Sequence, residues 1–398
     1  MIVRRGVARA NGDIMGVMSR RAAWAATSFA VALIVEPHAF GWPRPPGVLP
    51  VAGAATPTTE VGEIGGAPYR IDIPAGWNGG LVIFNHGYRG APVRYDARAP
   101  DETAQTYAPL GYAVAQSGYS AGGYAVREAV RDIAALRAHF ASRFGRPKEI
   151  WISGHSLGGS ITMMLMETQP TTFDGGLSLC APLGPMIGYT KTLAFDPLVL
   201  FEYLFPGQLP SPARVPADFI TTWERTAALE KVLDAKPAAA ATLRRFTGAR
   251  TNKEQAMNLD LFAHILGELQ RRYGGNAFDN RDTIYAGTGD DVAINAGVKR
   301  YRADDRARQL VIQDYTPTGR LARPLLSVLA VDDPLVGAYP SDRYPEIAQI
   351  AGSGELFAQQ YVRESGHCTF TPQQVRSAFE ELRRWRRTGE RPAPGAVP

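Results

Sequence analysis

The sequence predicts an α/β fold in which a mostly parallel sheet is covered by helices on both faces. Three observations predict it. Short apolar runs alternate with segments of helical period from residue 60 onward. One such run, Glu149 to Ser153, leads through Gly154-His155-Ser156-Leu157-Gly158 into a helix-like segment, Ser160 to Glu167. Polar residues able to do chemistry recur just after other apolar runs, where the carboxyl ends of parallel strands converge.

Val61 to Ile73 reads as an opening antiparallel hairpin that turns near Gly65-Gly66. Leu81-Val82-Ile83-Phe84 is a continuous apolar strand ending at Asn85-His86-Gly87-Tyr88, and Tyr112-Ala113-Val114-Ala115 is another, ending at Gly118-Tyr119. Val126, Val130, Ile133, Leu136, Phe140 and Phe144 recur at helical spacing, so one stripe of that helix packs on the sheet. Gly176 to Cys180 is the next strand. From Leu183 to about Ala322 the strand rhythm stops, and helix-like segments rich in Ala, Leu and aromatics take over, interrupted early by Pro206, Pro210, Pro212 and Pro216. This stretch reads as an inserted lid. Its aromatics, Phe195, Phe201, Tyr203, Phe205, Phe219, Trp223, Phe246 and Phe262, are spaced too irregularly for one helix face; most should be core, with some lining an apolar pocket. The strand rhythm resumes at Pro324 to Val331 and again around Phe357 to Val362. The closing helix is marked by Thr371 as N-cap, Pro372 at its first position and Gln374 completing a capping box, with Val375, Phe379, Leu382 and Trp385 along one face. The expected organisation is 1–55 leader and linker, 56–182 and 323–388 core, 183–322 lid, and 389–398 a flexible tail.

A serine hydroxyl is a weak nucleophile at neutral pH and needs a base to take its proton and a carboxylate to orient that base. Ser156 is the candidate nucleophile, held in a strained turn whose flanking Gly154 and Gly158 let strand and helix pass each other. Of the six histidines, His38 falls in the leader, His139 on an amphipathic helix and His264 in the lid, while His86 and His155 occupy turn positions. That leaves His367, in Glu364-Ser365-Gly366-His367-Cys368 between the last strand and the closing helix, as the base. The carboxylate is one of the neighbours Asp332 and Asp333, which cannot both face inward. Asp333, which starts a D-x-x-V segment, is preferred. The oxyanion of an acyl-transfer intermediate needs two backbone N–H donors, and those of Leu157 and Tyr88 are in position.

Composition and charge narrow the function classes. Of the nominal net charge of +5, residues 1–50 carry +4, with six arginines against Asp13 and Glu36; the remainder has 37 basic and 36 acidic residues. Near neutrality, with no basic stripe interleaved with aromatics, it offers no footprint for nucleic acid. Arg4, Arg5, Arg9, Arg20 and Arg21 precede an apolar run from Ala22 to Val35, which resembles an export signal and is short for a membrane span. The expected location is periplasmic or secreted, with no membrane span in the mature protein unless that segment stays uncleaved.

The residues in this order resemble the α/β-hydrolase superfamily from about residue 60 to 388: His86-Gly87, Gly154-His155-Ser156-Leu157-Gly158, Asp332-Asp333-Pro334-Leu335-Val336 and Gly366-His367-Cys368. More narrowly they resemble bacterial exported esterases with a helical lid between strands 6 and 7. The resemblance implies an eight-stranded, mostly parallel sheet, a Ser156-His367-Asp333 triad, no metal or organic cofactor, and a small-molecule ester substrate with an apolar or aromatic part. The histidine-cysteine pair is similar to tannase and feruloyl esterase enzymes, in which a cysteine beside the nucleophile bridges one beside the histidine. Here His155 stands in that first position, and the likeness implies Cys180 as the partner of Cys368. The same triad also serves extracellular polyester depolymerases and carbon-carbon bond hydrolases. A non-catalytic binding protein on this fold would have no need of a complete set.

Overall fold

A computed structural model describes residues 56–337 and 343–397. The leader expected over residues 1–55 lies outside the described residues; among the described residues no helix is long and apolar enough to cross a membrane.

The strands are β1 (Thr58–Ile64), β2 (Ala67–Ile73), β3 (Gly80–Asn85), β4 (Ala113–Ser117), β5 (Glu149–His155), β6 (Gly175–Leu179), β7 (Leu325–Asp332), β8 (Phe357–Ser365) and β9 (Gly395–Ala396). They form one sheet in the order β1-β2-β4-β3-β5-β6-β7-β8-β9. β1 and β2 pair antiparallel, as do β2 and β4, and every other pair is parallel. Among the described residues the strand count is therefore nine against an expected eight. The extra strand comes from the tail, which was expected to be flexible. The Arg391 guanidinium donates to the Phe357 carbonyl and Val397 N–H to that of Tyr361, so the tail covers the edge that β8 would otherwise leave open.

Alternation along the strands sorts the core. Leu81, Ile83, Ala113, Ala115 and Ile152 face one side with α2 (Val126–Phe144) and α3 (Leu157–Thr168). Val82, Phe84, Val114, Trp151 and Leu177 face the other. There they meet α1 (Glu102–Tyr107) and the closing helix, whose Phe379 presents its ring edge-on to Tyr107, Tyr112 and Trp151 at 5.1, 5.3 and 5.5 Å. The closing helix (Pro372–Thr388, α12 below) has the full capping box between Thr371 and Gln374.

Between β6 and β7 the chain runs through α4 (Met186–Thr190), a π-helical turn (Lys191–Phe195), α5 (Asp196–Leu204), α6 (Trp223–Asp234), α7 (Pro237–Thr247), α8 (Asn252–Tyr273), α9 (Asp291–Gly297) and α10 (Asp305–Asp314). α11 (Arg343–Ile350) precedes β8. Thr222, Thr251 and Asp304 cap α6, α8 and α10 through side-chain oxygens, which explains where these helices start. Of the aromatics in this insertion, Phe195, Phe201, Phe205 and Phe219 are buried as packing, whereas Tyr203 and Trp223 are exposed.

Candidate active site

The parallel strands place four loops at one edge of the sheet. β5 enters the nucleophile turn with Ser156 at φ 54°, ψ −125°, and α3 begins at the next residue. The small residues are required there: a Cβ on Gly154 would sit 2.5 Å from the Gly158 carbonyl oxygen, and one on Gly158 only 2.0 Å from that of Asn85. Among the described residues four non-glycines have positive φ, and three of them, Ser156, Cys180 and Cys368, belong to this site. Strain of this kind costs about 1–3 kcal/mol per residue and persists only where the surroundings over-determine it.

Ser156 Oγ lies 2.9 Å from His367 Nε2, and His367 Nδ1 lies 2.7 Å from Asp333 Oδ2. Because the carboxylate can only accept, Nδ1 carries the proton and Nε2 is left to accept from the serine hydroxyl. Asp333 is almost fully buried, its side chain 1% exposed, and its other oxygen accepts from the Leu335 and Val336 N–H groups at 2.9 Å each. Asp332 goes elsewhere. A register irregularity falls between Ala330 and Asp332 in the β7–β8 pairing, and the Asp332 carboxylate pairs with Arg250 of the insertion. The bulge explains how two adjacent aspartates come to face different partners.

The N–H of Leu157 opens α3, and that of Tyr88 follows β3; among the described residues neither is engaged in a hydrogen bond. Gly87 lets this loop close on the serine, since a Cβ there would lie 3.1 Å from that of Ser156. His86 donates from Nδ1 to the Gly87 carbonyl, and His155 Nε2 accepts the Gly87 N–H at 3.3 Å. Burial depresses His155 to about 4, so it stays a neutral acceptor for that contact.

A disulfide joins Cys180, at the end of β6, to Cys368, next to His367. Cys180, His367 and Cys368 bring their ligand atoms within 4.8 Å of one another, but both sulfurs are spent in the disulfide and offer no thiolate to a metal.

A cavity of about 450 Å³ opens at Ser156 and His367. The insertion contributes Tyr189, Leu193, Leu261, Phe262 and Ile265 to its wall. Tyr124, from the loop after β4, joins its hydroxyl to that of Tyr189 in the same wall. The Tyr88 hydroxyl is buried there with no partner among the described residues. Sequence reasoning singled out the Tyr88 amide and missed the side chain, and it missed Tyr124, Leu193 and Leu261 because nothing in their local pattern separates cavity from core.

Residues 78–225 match the family model Hydrolase_4, described as serine aminopeptidase, S33. No curated protein matches the sequence. Solved structures similar to the chain include Est1E from Butyrivibrio proteoclasticus (12% identity, TM-score 0.44, 82% of this chain and 98% of that one) and proline iminopeptidase from Mycobacterium smegmatis (12%, 0.42, 84% and 100%). Pyrococcus horikoshii acylaminoacyl peptidase is another (13%, 0.43, 83%), and there the chain spans 41% of the longer protein. At these scores the likenesses carry no argument of their own. The sheet order and the serine turn are those of the α/β-hydrolase fold, and the family match lies within it.

Proposed function

We propose that this α/β hydrolase cleaves carboxylic esters with an apolar or aromatic part, through an acyl-enzyme on Ser156. The observation that carries the reading is the continuous Ser156-His367-Asp333 relay opening into a mainly apolar cavity. In the proposed reaction Ser156 Oγ attacks the ester carbonyl while His367 Nε2 takes its proton, and the buried Asp333 carboxylate stabilises the imidazolium. The Leu157 and Tyr88 N–H groups receive the oxyanion. Collapse expels the alcohol, which takes the proton from His367. Water then enters by the same base and releases the acid.

A family named for an aminopeptidase raises a second possibility, cleavage next to a free α-amine. Such a substrate needs a carboxylate to hold its ammonium group. Among the described residues the cavity wall offers no Asp or Glu, and its cation is Arg89. That favours an uncharged ester. The insertion acts as a lid in this reading, walling a cavity of about 450 Å³ that suits a small ester better than a polymer chain. The disulfide supports a working location outside the reducing cytoplasm, periplasmic or secreted.

The test pairs a fluorophosphonate probe with two substrate panels. Wild-type protein is expected to be labelled and Ser156→Ala not, with 4-nitrophenyl esters turned over at least 100-fold faster than aminoacyl 4-nitroanilides. Equal labelling of both proteins, or a preference for the anilides, would overturn the assignment.

A further inference from the structure

The disulfide does more than tether a loop, because it places a sulfur against the imidazole of the triad. Cys368 Sγ lies 3.4 Å from His367 Nε2, the same nitrogen that Ser156 Oγ approaches at 2.9 Å. That nitrogen has one lone pair and accepts from one donor at a time. Bridged to Cys180, the sulfur carries no hydrogen, so the lone pair is left to the serine. Cys180 is fully buried, whereas Cys368 is half-buried and lines both the cavity at Ser156 and a smaller one, of about 240 Å³, beside α1 and the start of α12.

Reduction changes that competition. A dithiol opens the bridge, is itself oxidised to a disulfide, and leaves a hydrogen on each cysteine sulfur. Cys368 then holds a thiol within reach of Nε2 with no movement of the ring. A thiol is a far stronger acid than a serine hydroxyl: a free cysteine titrates at about 8.5, and one beside a cationic imidazole at about 3.5–7.5. The surroundings favour transfer to the ring. The Asp333 carboxylate on Nδ1 stabilises an imidazolium, and the neighbouring His155 stays neutral. The proton therefore passes from Cys368 Sγ to His367 Nε2, giving a thiolate–imidazolium pair whose ring can no longer take a proton from Ser156.

We propose that the Cys180–Cys368 bridge is a redox switch on the base: opened, it lets the Cys368 thiol capture His367 and silence Ser156, and closed, it returns the ring to the serine. The inference rests on the triad reading above and adds the regulation of that site. Closure passes two electrons and two protons to an external disulfide, which leaves as two thiols. A chain in a reducing compartment carries an idle triad, and one in an oxidising compartment carries a working one. Loss of anchoring alone would weaken the site alike whichever cysteine is removed. Capture makes the two cysteines unequal, since only Cys368 can reach the ring.

The experiment compares two single variants that both lack the bridge, Cys180→Ala and Cys368→Ala, on one 4-nitrophenyl ester near neutral pH. Only the first keeps a thiol beside His367, and its kcat should fall at least about tenfold below that of Cys368→Ala. Methyl methanethiosulfonate caps that thiol as a methyl disulfide and expels methanesulfinate, which removes the competing hydrogen without remaking the bridge. Capping, verified by mass, should bring Cys180→Ala up to about the level of Cys368→Ala. Reduced wild type, with both thiols titrated, should likewise fall below Cys368→Ala, which keeps the test open if Cys180→Ala fails to fold. A readout independent of turnover is the reactivity of Cys368: iodoacetamide at about pH 6 should alkylate it at least about tenfold faster in Cys180→Ala than in Cys180→Ala/His367→Gln. Equal kcat in the two single variants, no recovery on capping, or equal alkylation rates would overturn the switch while leaving ester hydrolysis standing. If oxidised wild type turns over no ester, the ester reading falls, and the alkylation rates alone decide whether thiol and ring pair.

Discussion

At the scale of single residues, the site turns on where two adjacent carboxylates point. Asp333 is buried against His367 and holds two backbone N–H groups, whereas Asp332 is 42% exposed and pairs with Arg250. Replacing Asp333 by Asn keeps the shape but lets the amide N–H face the ring, which favours the wrong tautomer, with the proton on Nε2 where the serine must donate. Asp333→Asn should therefore lower kcat by roughly 10³–10⁴-fold. Asp332→Asn removes an exposed ion pair of about 0–1 kcal/mol and should leave kcat within severalfold of wild type. Steady-state kinetics of both variants on one 4-nitrophenyl ester decides the matter, and the reverse ranking would exchange their roles. Why Asp333 and its neighbour part company was not legible in the sequence. The D-x-x-V segment favours Asp333, but the bulge that separates the two is a property of β7 against β8, and Arg250 lies 82 positions away.

Elements were legible where local rules act alone and obscure where a distant partner decides. The capping box of α12 and the strand-turn-helix around Ser156 stand where spacing puts them, because cap and elbow are satisfied within a few residues. The tail could not be read this way: its proline and glycine content predicts a loose end, and only the free edge of β8 makes residues 395–396 a strand. In α2, Asp132 sits in the buried stripe because its carboxylate accepts from Ser120 N–H and hydroxyl, a demand invisible in periodicity. The disulfide acts at this same scale. It closes 188 positions, which in the chain-entropy model is worth roughly 5 kcal/mol, and it anchors the loop between β8 and α12 that bears His367 to the end of β6. Dithiothreitol should lower the urea midpoint of wild type and reduce its kcat, while the Cys180→Ala/Cys368→Ala double variant should start lower and show no response. A wild-type midpoint unmoved by full reduction, verified by thiol titration, would remove the bridge from the account.

Over the whole molecule, the insertion and the sheet share one apolar cluster, with Ile83 and Leu165 of the core in the same packing as Phe195 and Leu266. Ion pairs cross the same boundary. Arg272 of α8 binds Glu128 of α2 at 3.0 Å and Glu268 at 2.9 Å, and also donates to the Gly122 carbonyl. Glu268 in turn accepts the N–H of Tyr124, so this arginine ties α8 to the loop that supplies part of the cavity wall. Burial pushes the Glu268 carboxyl above its usual range, against the pull of Arg272. Removing the arginine strips the counter-charge, so that carboxyl climbs further above its unfolded value of about 4.3. A carboxyl whose folded pKa is raised stabilises the fold only while protonated; the penalty therefore opens as pH rises above that unfolded value and is complete above the folded one. Arg272→Met should cost about 2–4 kcal/mol at pH 8 and distinctly less at pH 5, with a single unfolding transition at both. Adding Glu268→Gln should recover most of the loss at pH 8, because the amide carries no charge to bury. Urea unfolding of the three proteins at the two pH values checks each part. Equal losses at pH 5 and pH 8 would show that Arg272 acts by packing alone, and two separate transitions would show that the insertion folds apart from the sheet it lies on.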